Sequence, residues 1–411
     1  MPLPATTDVA IVGAGYTGLS AALALAKRGT SPLVLEQEDV GWGASARNGG
    51  MVLSGMKAGP RELIAKLGTE KAHLFDQAAL AAIDLVECIL AQEGIACSYS
   101  RCGHVALASK PAHFAAFERD AEVVRTHFNR DVIPIDKSAL RGEVGSDAYF
   151  GGLLDEKSAS VQPAQYVAGL AAAAQRAGAT ICAGAAVQKI VAASRSGARG
   201  FRLTTGRGDV FAREVVASTG AYTGSEFPAL RKRVIPIGSY IIATERISDA
   251  VATEISPRNR MLFDSKHFLH YFRLTPDQRF LFGGRASFVP ESEDTVRESA
   301  DILRRDMLVS FPQLRSVATE HVWGGTIDFT FDMLPHIGRL EGIHYACGYA
   351  GHGVAMATYL GAQLARAIMG GPSDPAFASS ALPAAPLGLY AGHPWFLPLA
   401  GVWFHILDAL T

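Results

Sequence analysis

Apolar residues gather first in short unbroken runs and only later in helical stripes. Asp8 to Val12 reads as a buried strand, a glycine-rich turn follows, and the Ala/Leu-rich stretch Leu19 to Arg28 reads as a helix stopped by Gly29. Leu33 to Leu35 adds a second strand and completes a strand–helix–strand unit. From Pro60 to Gln92 the spacing turns helical, with Leu74, Ala78, Ala81, Leu85 and Cys88 on one face, a stripe that reads as core. A strand at His104 to Ala108 and a charged helix at Phe114 to Thr126 come next. Pro163 to Ala177 predicts another Ala-rich helix, closed by Gly178. Strands are then expected at Thr180 to Cys182, Val187 to Ala192, Phe201 to Thr205 and Val210 to Ala217. Between Val234 and about His321 the runs are longer and aromatic-rich, including His267 to Leu274 and Arg279 to Gly284, which predicts a mainly antiparallel sheet. Gly351 to Met369 is the last long helix, ended by Gly370-Gly371-Pro372.

A chain of 411 residues exceeds one ordinary core, so two domains are expected. The element order interleaves them. Residues 1–80, 151–225 and 323–372 are assigned to an α/β domain, 81–150 and 226–322 to a substrate domain on the antiparallel sheet, and 373–411 to a tail. Against 39 acidic residues stand 38 Lys and Arg, which leaves no basic field to attract nucleic acid or anionic lipid. A small-molecule partner fits that balance. The five cysteines, Cys88, Cys97, Cys102, Cys182 and Cys347, form no C-x-x-C pair, which is the pattern of free thiols in a reducing compartment. With no basic, apolar leader at its start, the chain is expected in the cytoplasm. Leu387 to Leu410 is apolar but interrupted by His393, Pro394, Pro398, His405 and Asp408, so it is not expected to span a membrane.

Gly13-Ala14-Gly15-Tyr16-Thr17-Gly18 matches G-x-G-x-x-G. The first glycine permits the tight turn, the second lets a pyrophosphate approach, and the third lets helix and strand pack. The motif follows a strand and opens a helix, and Glu36, next to Gln37, ends the second strand 18 residues after Gly18, where a carboxylate can accept both ribose hydroxyls. A dinucleotide is the expected ligand, the alternative being a merely tight turn. Gly41-Trp42-Gly43-Ala44-Ser45-Ala46-Arg47-Asn48-Gly49-Gly50-Met51 then supplies small residues and backbone donors suited to a long, bent cofactor. No second G-x-G-x-x-G and no redox cysteine pair is found, so electrons should come directly from a substrate.

In this loop the sequence resembles the D-amino-acid oxidase superfamily of flavoenzymes, which includes glycine and sarcosine oxidases. Within it, the branch containing gamma-glutamylputrescine oxidase carries a similar G-A-S-x-R-N-G-G run. The likeness extends over most of the chain. Val161-Gln162-Pro163 with Tyr166 resembles the family's entry into its second FAD-domain helix, and Val187 falls where the family contacts adenine. Val215 to Tyr222, with Thr219 and Gly220, resembles the strand and turn under the cofactor. The resemblance implies a Rossmann-type FAD-binding domain with an interleaved substrate domain. It also implies non-covalent FAD, because Val322 to Pro335 has no cysteine and Ser45-Ala46-Arg47 no histidine.

Gly348-Tyr349-Ala350-Gly351-His352-Gly353-Val354 opens the last helix and resembles the family's G-x-G-H-G run. Its free N–H groups are expected to face the flavin edge where negative charge develops. His352 is expected either at the reaction site or merely packed. Alternation along His267 to Arg273 places Leu269, Tyr271 and Arg273 on one strand face, and Arg285 follows the next strand. In the family these strands lie over the flavin. Arg273 or Arg285 could there hold a substrate anion bidentately, or be a solvated strand-end residue. No metal site is expected. The resemblance implies oxidation of a small amine or amino acid, with dioxygen as acceptor. Some relatives aid dioxygen with a lysine on the second strand, but Arg279 to Ala286 has none, which leaves a dehydrogenase using a quinone or carrier open. Such an enzyme could dock its aromatic C-terminal tail on a membrane. A non-catalytic flavoprotein is the remaining alternative.

Overall fold

The computed structural model describes residues 3–287, 292–378, 381–398 and 401, and the backbone alone at 285–287 and 387. Two large sheets organise it. In the first, Thr6–Val12 lies between Leu33–Leu35 and Gly208–Ala217 and runs parallel to both. Thr180–Cys182 extends one side, and Ile343–Cys347 with His336–Leu340 extends the other. Val9 to Val12 and Leu33 to Leu35 are all buried, as expected of strands covered on both faces. The expected first helix is observed at Tyr16–Ala26, where ten of its eleven residues are buried. Such a helix must be apolar all round, which its Ala/Leu composition allows.

That helix is wedged against two others, Pro163–Arg176 and Gly353–Ile368. The last approaches so closely that a Cβ at Gly361 would lie 2.3 Å from the Thr17 carbonyl oxygen. The expected 60–92 helix is two helices, Pro60–Leu67 and Thr69–Glu93, broken where Gly68 takes φ +78.

The second sheet runs in the order Thr319–Phe329, Ile235–Arg246, Arg279–Ser287, Tyr271–Leu274, Met261–Asp264, His104–Leu107, Gly151–Asp155 and Ile133–Asp136. Every pairing is antiparallel except that between Met261–Asp264 and His104–Leu107. Phe272, Phe280, Phe282 and Phe311 pack its core, with Phe272 and Phe282 stacked at 5.5 Å. Burying each such ring contributes ~1.5–3 kcal/mol. Two of the expected domain limits cut this sheet, because Gly151–Asp155 and Thr319–Phe329 both pair within it.

The region expected to form a mainly antiparallel sheet also contains the helices Asp249–Ile255 and Glu293–Ser310. The longer one begins with a capping box between Ser292 and Thr295 and buries Leu303 and Met307 on the sheet. Conversely, the strand expected over His267 to Leu274 is regular only at Tyr271–Leu274. Phe377, Tyr390 and Leu397 of the tail are buried, and the Tyr390 hydroxyl donates to the Val234 carbonyl at 2.7 Å. The described tail therefore packs on the protein itself, and residues 402–411 lie outside the described residues. No described helix is long and apolar enough to cross a membrane.

Candidate active site

A cavity of about 470 Å³ runs from the ends of the first-sheet strands to the face of the second sheet. At one end Glu36, Gln37 and Val187 line it, and Glu36 is already engaged. One carboxylate oxygen accepts from Ala14 N–H at 2.7 Å and the other from Glu38 N–H at 3.0 Å. The side chain thereby braces the glycine turn while facing the space a ribose would fill.

Gly13, Gly15, Tyr16 and Thr17 line the next stretch, while Ala14 and Gly18 sit behind the wall. Gly13 takes φ +105, and a Cβ there would lie 2.9 Å from the Ser218 carbonyl oxygen. Gly18 is needed for packing, since its Cβ would fall 2.1 Å from Gly13 O. The side chain of Tyr16 points away from the cavity into the core, where its hydroxyl donates to Pro163 O at 3.2 Å. Thr219, Gly220 and Tyr222 form the opposite wall, with Tyr222 edge-on to Trp42 at 5.7 Å.

The loop after Gly41 folds into a short helix, Ala44–Arg47, and its Gly43, Ala44, Ser45, Arg47, Asn48, Gly49 and Met51 line the cavity while Gly50 does not. Asn48 largely templates this loop. Its amide donates to Ala44 O and Ser45 O, both at 3.0 Å, and its carbonyl accepts from Gly50 N–H at 2.8 Å. The Arg47 guanidinium lies over the Trp42 ring at 4.4 Å.

Gly351, His352, Gly353 and Val354 line the cavity where the last helix begins. His352 occupies its N-cap without making a side-chain cap bond, whereas Gly15 at the start of the first helix has no side chain to offer and the Tyr16 N–H donates to Ser45 Oγ at 3.0 Å. Two helix N-termini, neither capped by the side chain of its own N-cap residue, therefore open on one cavity, as suits an anionic, hydrogen-bond-accepting cofactor. The shielded Nδ1 of His352 has no hydrogen-bond partner among the described residues. Burial, aided by the nearby Lys57 ammonium, pushes that imidazole down to about 4, so it is neutral near pH 7.

Over this end lie Ile237, Ser239, Phe263 and Tyr271 from the second sheet, with His267, Phe268 and Leu269 from the loop between its strands Met261–Asp264 and Tyr271–Leu274. The Tyr271 hydroxyl is 3.3 Å from Ser239 Oγ, and burial pushes it up to about 12. Arg273 corrects the expectation for the strand. It shares the Tyr271 face but is 4% exposed and does not line the cavity. Its Nε donates to Gly49 O at 2.6 Å and Nη2 to Val161 O at 2.8 Å, so it is anchored on backbone rather than aimed at the cavity. Arg285 falls within the strand Arg279–Ser287 rather than after it, and its side chain lies outside the described residues.

Several lining residues carried no expectation from the sequence, Asp328, Lys57 and Ser239 among them. Asp328 ends a strand, is 6% exposed, and accepts Gly348 N–H at 2.5 Å. Burial raises its carboxyl to about 6. The only sequence signal was the Gly324-Gly325 pair before it. Lys57 stands in a Ser/Gly loop with no periodicity, and nothing in the sequence singled it out.

The model of a family described as FAD dependent oxidoreductase, DAO, matches residues 8–367. This chain belongs to that family. FAD is its cofactor, and the cradle of two helix starts and close-approach glycines fits it. The probable oxidoreductase OrdL of Haemophilus influenzae is 34% identical over 369 residues, 88% of this chain and 83% of that protein. The gamma-glutamylputrescine oxidoreductase of Escherichia coli is 32% identical over 371 residues, 90% of this chain and 85% of its own length. The family expected from the loop is therefore the family found. Among solved structures, glycine oxidase from Geobacillus kaustophilus superposes with a TM-score of 0.77 over 93% of this chain and all of that one, at 21% identity. L-proline dehydrogenase from P. horikoshii follows at 0.73 over 91% of this chain and 96% of its own, at 19% identity. Both support the α/β architecture with its two sheets.

Proposed function

We propose that this oxidoreductase oxidises the C–N bond of a small primary or secondary amine or amino acid. The observation that carries the reading is one continuous cavity joining the cofactor cradle to a lid of Phe268, Leu269, Tyr271 and Ser239. A relative named for gamma-glutamylputrescine supports the substrate class. Bound in the cradle, FAD would take hydride from the carbon beside the nitrogen and return the electrons to dioxygen, giving hydrogen peroxide. The released imine hydrolyses in water to an aldehyde or keto acid.

The chain's own task is placement. Phe268 and Leu269 exclude water, Tyr271 and Ser239 offer hydroxyls to the substrate nitrogen or its neighbours, and neutral His352 accepts a hydrogen bond. Arg285 is the proposed clamp for an anionic group. The proposed domain division is the one expected from sequence, with the two limits that cut the second sheet moved to its strand ends and the limit at residue 80 moved to the end of the helix Thr69–Glu93. A cytoplasmic home belongs to the same reading, supported by five unpaired cysteines.

Anaerobic bleaching of the flavin by a panel of polyamines, amino acids, N-methyl amino acids and aminophosphonates tests the proposal. If none bleaches it, the reading fails and a non-catalytic flavoprotein is favoured. The absence of lysine from Arg279 to Ala286 favours a second acceptor, so dioxygen and a quinone are compared in the reoxidation half. Reoxidation by quinone alone would make the protein a dehydrogenase.

A further inference from the structure

Arg273 is a buried cation without a described anionic partner. Burying a guanidinium is costly, and well-aligned acceptors must offset that cost. Here they are two carbonyls from different segments, Gly49 O at 2.6 Å and Val161 O at 2.8 Å. The same two segments are tied directly, since Val161 N–H donates to Gly50 O at 2.9 Å. Gly50 takes φ +69, and a Cβ on it would lie 2.1 Å from Val161 O and 2.6 Å from Arg273 Nη2. The bracket therefore closes on a glycine that no other residue can replace without displacement.

Two residues earlier on the same strand face, Tyr271 rests on the neighbouring glycine. A Cβ at Gly49 would lie 3.1 Å from Tyr271 Cε2. One short strand thus touches the Gly49–Gly50 segment twice, through a ring that lines the cavity and through a guanidinium that does not. Met51, next in the chain, lines the cavity and pairs with Ser160, one residue before Val161.

We propose that Arg273 is a positioning residue that locks the cofactor loop Gly49–Met51 to the Tyr271 strand, so that cofactor-facing loop and substrate-facing ring move as one body. The planar fork suits this task because it reaches two carbonyls at once, which a lysine ammonium cannot reproduce. Its guanidinium, lowered by burial to about 10, remains charged at neutral pH. The proposal predicts coupling between FAD affinity and reaction geometry, without direct contact between Arg273 and substrate. The second half rests on the amine reading above, the first does not.

The test compares Arg273→Lys and Arg273→Met with wild type in two arms. In the first, the apoprotein is titrated with FAD, and affinity is expected to fall at least about tenfold in Arg273→Lys, since one carbonyl is lost from the bracket. In the second, anaerobic stopped flow on FAD-saturated protein separates the limiting bleaching rate from the amine Kd. The rate is expected to fall at least about tenfold while Kd moves less than about threefold. A raised Kd with an unchanged limiting rate would make Arg273 a substrate anchor and overturn the proposal. A lowered melting temperature with unaltered FAD affinity and an unaltered rate would reduce it to a packing residue. If no amine bleaches wild-type flavin, the amine reading fails, and the FAD arm still decides the lock. Should both variants fail to fold, hydrogen exchange on the wild type decides it. FAD is expected to protect residues 49–51 and 159–161 together, and protection of the first segment alone overturns the lock.

Discussion

The side-chain oxygens of Thr17 and Tyr349 lie 2.6 Å apart, a hydrogen bond between the turn that opens the first helix and the turn that leads into the last. Burial raises the Tyr349 phenol well above its usual range, so it stays protonated and able to donate. Tyr349→Phe should destabilise the apoprotein by about 1–2 kcal/mol, since it leaves the Thr17 hydroxyl without this partner. Adding Thr17→Val should cost little more, because both halves of the bond are then gone. Chemical denaturation of the four proteins measures this, and additive losses would mean the two hydroxyls act separately.

Glu36 holds the glycine turn through Ala14 N–H at 2.7 Å in addition to facing the cavity. Glu36→Ala should therefore weaken FAD binding by roughly 1–3 kcal/mol, through lost ribose contacts and a loosened turn. Titration of apoprotein followed by flavin fluorescence gives the number. Because no cysteine lines the described cavity, acid precipitation should release all the FAD from wild type. Yellow pellets would mean that His267, His352 or another residue binds it covalently.

Much of the cofactor half was legible because its chemistry is written locally. A turn that needs Gly13, a close approach that needs Gly18, and a carboxylate at a strand end all occupy one short stretch. The substrate half depends on pairs distant in sequence. Alternation correctly put Tyr271 and Arg273 on one face, yet their separate fates depend on Gly49 and Val161, more than a hundred residues away. Asp328 and Lys57 carry no periodicity and become cavity residues only when the two sheets meet. The Glu293–Ser310 helix was readable, since Val296, Leu303 and Met307 recur at helical spacing, but the neighbouring aromatic strands dominated the reading.

Gly361 should be among the least replaceable helical positions. A Cβ there meets the Thr17 carbonyl at 2.3 Å and Ser20 Cβ at 2.9 Å, and backbone can yield only by pushing the first helix away. Gly361→Ala should cost about 1–3 kcal/mol by overpacking and lower FAD affinity as the Gly13 turn shifts. Gly206→Ala, whose nearest contact is Gln188 Nε2 at 3.9 Å, should melt like wild type. Equal melting of both variants would show that the helices have room to separate.

Asp328 should set a pH dependence of stability that runs opposite to the usual carboxylate. Its folded-state value of about 6 lies above the 3.8 of an ordinary aspartate, so the folded protein binds this proton more tightly than the unfolded chain does. Stability from this group is therefore lost as pH rises through the interval from about 4 to about 6, and the full cost is present above it. The shift corresponds to roughly 3 kcal/mol at most. His104 and His352 act in the other direction, since burial lowers both to about 4 and their protonation on unfolding favours the unfolded chain as pH falls below 6.5. Wild type alone would mix these effects. Asp328→Asn separates them, because both histidines remain in each protein and cancel in the difference. Asparagine can still accept the Gly348 N–H, so the variant keeps the turn while losing the titration. On the apoprotein, its stability relative to wild type should improve by about 1–3 kcal/mol between pH 4 and pH 8. Urea titrations at four pH values across that range supply the curve. Parallel curves for the two proteins would mean that Asp328 is ionised in the folded state without penalty, and that the wall of the cavity is wetter than its 6% exposure implies.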